Sequence, residues 1–87
     1  MSQFSIVKSD KSLSQQLNVI GEKLVDLRKK KGYTSYETFA YDFDLPRVHY
    51  WKMEKGRTNF TLKSLIRVLE VHDLDLIAFF DSMKKVK

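Results

Sequence analysis

Four basic side chains fall within a short segment of this 87-residue chain: Arg47, Lys52, Lys55 and Arg57. An arginine can donate two hydrogen bonds to a phosphate or to the O6 and N7 acceptors of guanine, and a lysine can reach the same acceptors. Val48, which lies between them, can pack on a thymine methyl group. These residue types indicate binding of a polyanion, and both nucleic acid and an anionic membrane are open at this point.

The remaining residue types indicate neither catalysis nor metal binding. Cysteine is absent, and with only His49 and His72 a zinc site would need carboxylates to complete it. No paired carboxylates, phosphate-binding glycine loop or nucleophile–base pair is visible in the sequence. We therefore expect a protein that is not an enzyme and needs no metal and no cofactor.

The basic charge is concentrated in the middle of the chain. The formal net charge is +5, and residues 28–57 hold eight cations against four anions, whereas residues 58–83 hold two against four. This asymmetry is typical of a protein that binds a polyanion with one face. The first residues lack the apolar stretch of a signal peptide, and the longest apolar run, 76–80, is far shorter than a membrane span. We expect a cytoplasmic, nucleoid-associated protein.

Hydrophobic spacing predicts one all-α domain of five helices that positions these cations. Ser12 with Gln15 resembles a capping box, and apolar residues then recur at helical spacing until the helix ends near Gly32. The predicted domain spans residues 12–83. It lies between a flexible N-terminal arm, residues 1–11, and a basic C-terminal tail, residues 84–87.

Short turns separate the later helices. Thr34 or Ser35 can cap the second helix, and Pro46 suits the start of the third because its fixed φ is already helical. Thr61 is a plausible cap for the fourth helix, and the fifth should begin near Asp75. The apolar side of the fourth helix is predicted to contain Leu62, Leu65, Ile66 and Leu69.

Two short helices joined by about three residues, the second of them basic, have the layout of a helix-turn-helix. The matching marks are Phe39-Ala40, Leu45, Tyr50, Met53 and Glu54-Lys55-Gly56. With them, the stretch 35–56, SYETFAYDFDLPRVHYWKMEKG, resembles the Cro and lambda-repressor family, also called Xre-like. The resemblance spans roughly residues 20–80. It implies the five-helix, lambda-repressor-like fold.

The resemblance also implies a role for each exposed position of this motif. The third helix, residues 46–55, would lie in the major groove of DNA. The side chains placed at base edges are Arg47, Val48, His49, Trp51 and Lys52. The side chains placed at phosphates are Tyr36, Lys55, Arg57, Thr58 and Asn59. Trp51 can equally cover the edge of the helix-turn-helix, and His49 can instead face solvent or a phosphate.

Glu54 is unexpected on a surface that faces DNA. The resemblance pairs it with Arg28, buried between the first and third helices as a structural ion pair. Asp44 stands where the family has glycine, so this turn either holds an aspartate at positive φ or takes another shape. His72 stands at a position that is usually leucine, and we interpret it as a partly buried core histidine.

The fifth helix is apolar around more of its circumference than packing on one side requires. This pattern predicts a homodimer interface made of Leu76, Ile77, Ala78 and Phe80. The alternative is that the last helix is fully buried within one chain.

The resemblance implies a sequence-specific, DNA-binding transcriptional regulator, most often a repressor, that binds double-stranded DNA as a homodimer. The alternative is an antitoxin or another protein-binding module that uses the same fold to mask a toxin partner, which a neighbouring toxin gene would favour. A role at membranes is disfavoured, since the cations lie on helix ends and one short helix without an extended basic amphipathic face.

Overall fold

A computed structural model describes the backbone of residues 2–84 and the side chains of residues 10–84. Five α-helices follow one another: α1 (Ser2–Lys30), α2 (Tyr36–Asp42), α3 (Arg47–Glu54), α4 (Leu62–Val71) and α5 (Leu76–Ser82). Residues 2–84 contain no strand. The predicted all-α fold of five helices is therefore confirmed.

The first helix begins much earlier than predicted. It starts at Ser2, and Ser12 does not cap it: the Ser12 hydroxyl instead accepts a hydrogen bond from the Gln16 side chain at 2.9 Å on the helix surface. The helix continues through this point because residues 2–20 contain no glycine or proline. The predicted start at Ser12 is wrong, and the division into arm, domain and tail stays a prediction. Residues 1 and 85–87 of the predicted arm and tail lie outside the described residues.

Side-chain caps define the starts of the short helices. Ser35 accepts a hydrogen bond from the amide of Thr38 at 3.2 Å and begins α2, so Ser35 rather than Thr34 is its cap. Thr61 accepts one from Ser64 at 3.1 Å, as its sequence position predicts. Pro46 has φ −63° and immediately precedes α3 without a side-chain cap. These caps fix the starts of α2 and α4, the helices before and after α3 along the chain.

The core lies between the C-terminal half of α1 and the four short helices. Its largest fully buried side chains are Tyr50, Phe39, Phe79, Leu24, Met53, Leu65 and Leu69. Leu62 and Ile66, which were predicted on the buried side of α4, are exposed instead. The buried side of α4 is formed by Leu65, Val68 and Leu69, so Leu62 and Ile66 make a separate stripe one turn apart.

Gly21 allows α1 to approach the end of α3 closely. A Cβ atom at Gly21 would lie 2.8 Å from the carbonyl oxygen of Met53 and would overlap the carbonyl oxygen of Glu54. Any larger residue would push the two helices apart, because both obstructing atoms belong to the backbone. The position of α3 relative to α1 thus depends on this glycine.

The turn between α2 and α3 holds an aspartate in the left-handed region. Asp44 has φ +57°, and the next amide, of Leu45, donates to the carbonyl of Ala40 at 2.8 Å. The Arg67 guanidinium of α4 donates to the Asp44 carbonyl at 2.7 Å. The turn therefore keeps the shape usual for glycine, and Arg67 stabilises it from the outside.

His72 lies half-buried at the end of α4. Its ring stacks on Phe39 with 5.5 Å between centroids, and its Nε2 atom is buried without a hydrogen-bond partner among the described residues. Burial lowers the pKa of His72, the positive charge of Lys31 lowers it further, and Asp73 opposes the shift. His72 is thus the partly buried core histidine that the sequence predicts.

This lowered pKa makes stability depend on pH. As pH falls below the ordinary histidine pKa of about 6.5, the unfolded chain binds a proton that the folded chain resists, so the free energy of unfolding decreases. Above that pH both states are neutral and the effect vanishes. Urea unfolding between about pH 7.5 and 5.5 should show the decrease in the wild type and a flatter profile in His72→Leu. Parallel profiles would contradict the assignment to His72.

No helix within residues 2–84 combines the length and apolar character that crossing a bilayer requires.

Candidate nucleic-acid interface

One side of α3 is exposed along its whole length. At about 100° per residue, Arg47, Trp51, Lys55, Val48 and Lys52 follow one another around a continuous arc of roughly 140°. On the opposite side Tyr50, Met53 and Glu54 are buried. The structure therefore brings four of the five predicted base-contacting residues and one predicted phosphate-contacting residue, Lys55, onto one surface. We refer to residues 47, 48, 51, 52 and 55 as the α3 face.

His49 lies beside the α3 face rather than on it. It lines a cavity of about 50 Å³ between α3 and α4, together with Ser64 and Arg67. Its Nε2 atom is buried and has no hydrogen-bond partner among the described residues. The imidazole is thus placed toward α4, apart from the other predicted base-contacting side chains.

Arg28 and Glu54 form a buried pair beneath the α3 face. Each residue is 6% exposed, the Arg28 Nε donates to Glu54 Oε2 at 2.7 Å, and Nη2 donates to Oε1 at 3.2 Å. Arg28 Nη1 also donates to the carbonyl of Tyr33 at 2.9 Å. One guanidinium thus joins α1, the segment before α2 and the last turn of α3.

The charge pair raises the pKa of Arg28, chiefly through the hydrogen bonds to Glu54. The adjacent Tyr50 hydroxyl has a raised pKa as well, first because it is buried and then because the Glu54 carboxylate is near. The negative charge of Glu54 is balanced by the positive charge of Arg28 and is buried, so it is not presented on the α3 face.

The cations of the α3 face and of the loop after it differ in whether they have a partner. Arg47 Nη1 lies 3.6 Å from Glu37 Oε2 in an ion pair whose two side chains are both exposed. Within the described part of the chain, Lys52, Lys55 and Arg57 form no ion pair. Glu37 is a partner that the sequence does not reveal, because nothing in the spacing of residues 37 and 47 indicates that they meet.

The Trp51 ring has neighbours from two other segments. The Tyr36 ring of α2 lies with its centroid 6.4 Å away at a tilt of 45°, and the Arg57 Cζ lies over the indole at 5.2 Å from its centroid. Arg57 follows α3 in a loop whose backbone is held by the hydrogen bond from its amide to the carbonyl of Lys52, 2.9 Å long. Thr58 is half-buried in this loop, and Asn59 is exposed.

The fifth helix carries an exposed apolar surface. Ile77 is 80% exposed and Phe80 44% exposed, Ala78 is exposed, and Leu76 is half-buried. Phe79, which lies between Ala78 and Phe80 along the chain, is fully buried. The fifth helix therefore packs on the core with one side only. The interpretation of α5 as fully buried within one chain is therefore wrong.

Comparison with known proteins adds an independent observation. The chain is similar to the control protein C.MunI of a Mycoplasma species, with 35% identity over 65 residues, which is 75% of this chain and 88% of that protein. No family model matches the chain, and no solved structure matches it. The all-helical fold, the exposed α3 face and this similarity over most of both chains lead to one conclusion: the chain belongs to the same family of helix-turn-helix, DNA-binding transcriptional regulators as this control protein.

Proposed function

We propose that this protein recognises a specific DNA sequence by placing α3 in the major groove and that it represses transcription by covering a promoter. The observation that carries the proposal is the α3 face, where arginine, valine and lysine side chains project together from a helix whose other side is buried. A major groove about 12 Å wide admits such a helix. The proposal requires neither a catalytic residue nor a cofactor.

The base-reading side chains in this proposal are Arg47, Val48 and Lys52. Arg47 has the geometry to bond a guanine through two acceptors, and Lys52 to reach one of them. Val48 is 56% exposed and can contact a thymine methyl group. Because Arg47 pairs with Glu37 in the free protein, it exchanges one acceptor for another when it binds a base.

The phosphate-contacting side chains are Lys55 and Arg57, with Tyr36, Thr58 and Asn59 beside them. Lys55 and Arg57 are exposed and lie at the end of α3 and in the loop after it, where the chain leaves the groove. Contacts to phosphate set the position of a protein on DNA but do not depend on base sequence. His49 is left out of base reading because it faces the cavity beside α4.

The exposed surface of α5 supports a homodimer. Leu76, Ile77, Ala78 and Phe80 are proposed to meet the same residues of a second copy around a two-fold axis. A second copy is favoured because one α3 reads only a few base pairs, and a two-fold dimer reads two half-sites about one helical turn, or roughly 34 Å, apart.

Selection of binding sites from random DNA with the full chain tests the proposed function. The expected result is a short inverted repeat with its half-sites about one helical turn apart. Recovery of no enriched sequence would contradict sequence-specific binding. A single unrepeated site would contradict the dimer.

Arg47 and Arg57 are expected to differ in what they contribute. Replacing Arg47 by alanine should weaken binding to the selected site by about 1–3 kcal/mol and relax one base position. Replacing Arg57 by alanine should weaken binding to selected and random duplexes alike. Both side chains are exposed, so the fold should be unaffected. An equal loss on both duplexes for Arg47→Ala would reject its role as a base reader.

The dimer can be tested at its most exposed apolar residue. Ile77→Glu should shift the chain to monomer in sedimentation at micromolar concentration, because two carboxylates would be buried in the interface. Ser14→Glu, a change at an exposed position of α1, serves as the control and should remain dimeric. A wild-type chain that is monomeric both with and without DNA would refute the dimer.

A further inference from the structure

Trp51 is the only tryptophan of the chain and lies in the middle of the α3 face. It is only half-exposed there, unlike its neighbours Arg47, Val48, Lys52 and Lys55. The indole is covered in part by Tyr36 and by Arg57, which come from α2 and from the loop after α3. These contacts suggest a different role from base reading.

The contacts form a series that begins at the core. Tyr36 is half-buried and packs against the hydrophobic core. Its ring lies 6.4 Å from the indole centroid, within the distance at which aromatic rings attract one another. Trp51 is thus supported from the side of α2, and the face of its ring is available to a further group.

That further group is the Arg57 guanidinium. Its Cζ lies 5.2 Å from the indole centroid, within cation–π distance. Arg57 forms no ion pair among the described residues, and its backbone is held only by the turn after α3. The Trp51 ring is therefore the contact that restricts where this long side chain points.

A guanidinium over an aromatic ring can still bind a phosphate. Its N–H donors lie in its own plane, so stacking on a ring leaves them available to oxygen atoms at its edge. A base or sugar that approached this part of the indole would first have to displace Arg57. The arrangement thus favours phosphate binding by Arg57 over base contact by Trp51.

We propose that Trp51 is a positioning residue that holds Arg57 in place for a DNA phosphate, and that it does not read a base. The proposal rests on the proposed function, because it assigns a task within the same DNA interface. Ordering of Arg57 before binding reduces the side-chain entropy that is lost when the phosphate contact forms.

The test uses the full chain and a labelled duplex of random sequence, with affinity measured by fluorescence anisotropy at several salt concentrations. Trp51→Leu, which keeps apolar bulk without an aromatic face, should weaken binding and lower the slope of log affinity against log salt by up to about one unit, as Arg57→Ala does. Trp51→Phe should retain most of the affinity. Trp51→Leu combined with Arg57→Ala should bind no more weakly than Arg57→Ala alone.

Several results would overturn the proposal. If Trp51→Leu weakens binding to the selected site but leaves the affinity for the random duplex unchanged, Trp51 reads a base. Fully additive losses in the double variant would show that the two residues act independently.

A readout without DNA separates this proposal from the function on which it rests. In the free protein Arg57→Ala should change the emission of Trp51, whereas Lys84→Ala, beyond the end of α5, should not. Unchanged emission in Arg57→Ala would overturn the contact itself. If Arg57→Ala changes the emission but the wild-type chain shows no salt-dependent binding to any duplex, the proposed function is overturned instead, and with it the role of Trp51.

Discussion

Replacing Arg28 by methionine is expected to lower the free energy of unfolding by about 3–5 kcal/mol. The substitution leaves the Glu54 carboxylate, which is 6% exposed, without its charge partner, and a buried unpaired charge is strongly destabilising. It also removes the donor to the Tyr33 carbonyl, so three segments lose a common contact. Glu54→Gln should be costly for the same reason, because the Arg28 guanidinium would then be buried alone.

Urea unfolding of single and double variants measures this effect. The double variant Arg28→Met with Glu54→Met should be destabilised far less than the sum of the single variants, because neither charge is left behind. Lys30→Met is the matched control, since Lys30 pairs with Asp26 at 3.3 Å on the surface of the same helix. Its cost should be about 0–1 kcal/mol. Equal costs for Arg28→Met and Lys30→Met would contradict the structural role of the buried pair.

Affinity for DNA is expected to fall steeply as salt is added. Each phosphate neutralised releases counterions, and about 6–10 contacts correspond to a loss of about 10³–10⁵ between roughly 50 and 200 mM salt. Lys55 and Arg57, the proposed phosphate contacts, are without ion pairs among the described residues, and so is Lys52, which is proposed at a base in the same groove. Each copy of the chain thus brings three such cations that can displace counterions from the DNA. The affinity of a dimer, with six contacts, should therefore fall by about 10³-fold over this range of salt, and that of a monomer, with three contacts, by about 40-fold. Both values assume that each phosphate contact contributes about 0.9 to the slope of log affinity against log salt.

Affinity for the selected duplex at several salt concentrations decides between these values. Lys55→Gln should lower the slope by about one unit, because Lys55 is proposed to contact one phosphate. Lys84→Gln is the control, because Lys84 lies beyond α5 and pairs with Asp81 at 3.8 Å. A response to salt that is flat, or equally reduced by both variants, would contradict the electrostatic role of the α3 face.

Local features of the sequence predicted most helix boundaries. Ser35, Thr61 and Asp75 cap helices because their side-chain oxygens reach amides of the first turn, which depends only on neighbouring residues. Gly32 and Gly56 end helices at positive φ for equally local reasons. The start of α1 could not be predicted from Ser12, since a capping residue is compatible with a helix that continues through it.

The candidate site was predictable as a set of residues and not as an arrangement. Helical spacing places Arg47, Val48 and Lys52 on one arc of α3, and the structure agrees. His49 lies just outside that arc, and only the position of α4 decides that its ring lines a cavity with Ser64 and Arg67. Leu62 and Ile66 were assigned to the core for a similar reason: periodicity identifies an apolar stripe but does not say which neighbour covers it.

Five helices, a basic third helix after a short second one, and the complementary charges of Arg28 and Glu54 were all predictable from the sequence. These properties follow from spacing, capping and residue type, which act over a few neighbouring positions. Three other outcomes arise only in the folded chain: which cations keep a partner, that Arg57 lies over Trp51, and that Ile77 stays exposed. Those outcomes depend on contacts between residues that are far apart along the chain, and local pattern carries no information about such contacts.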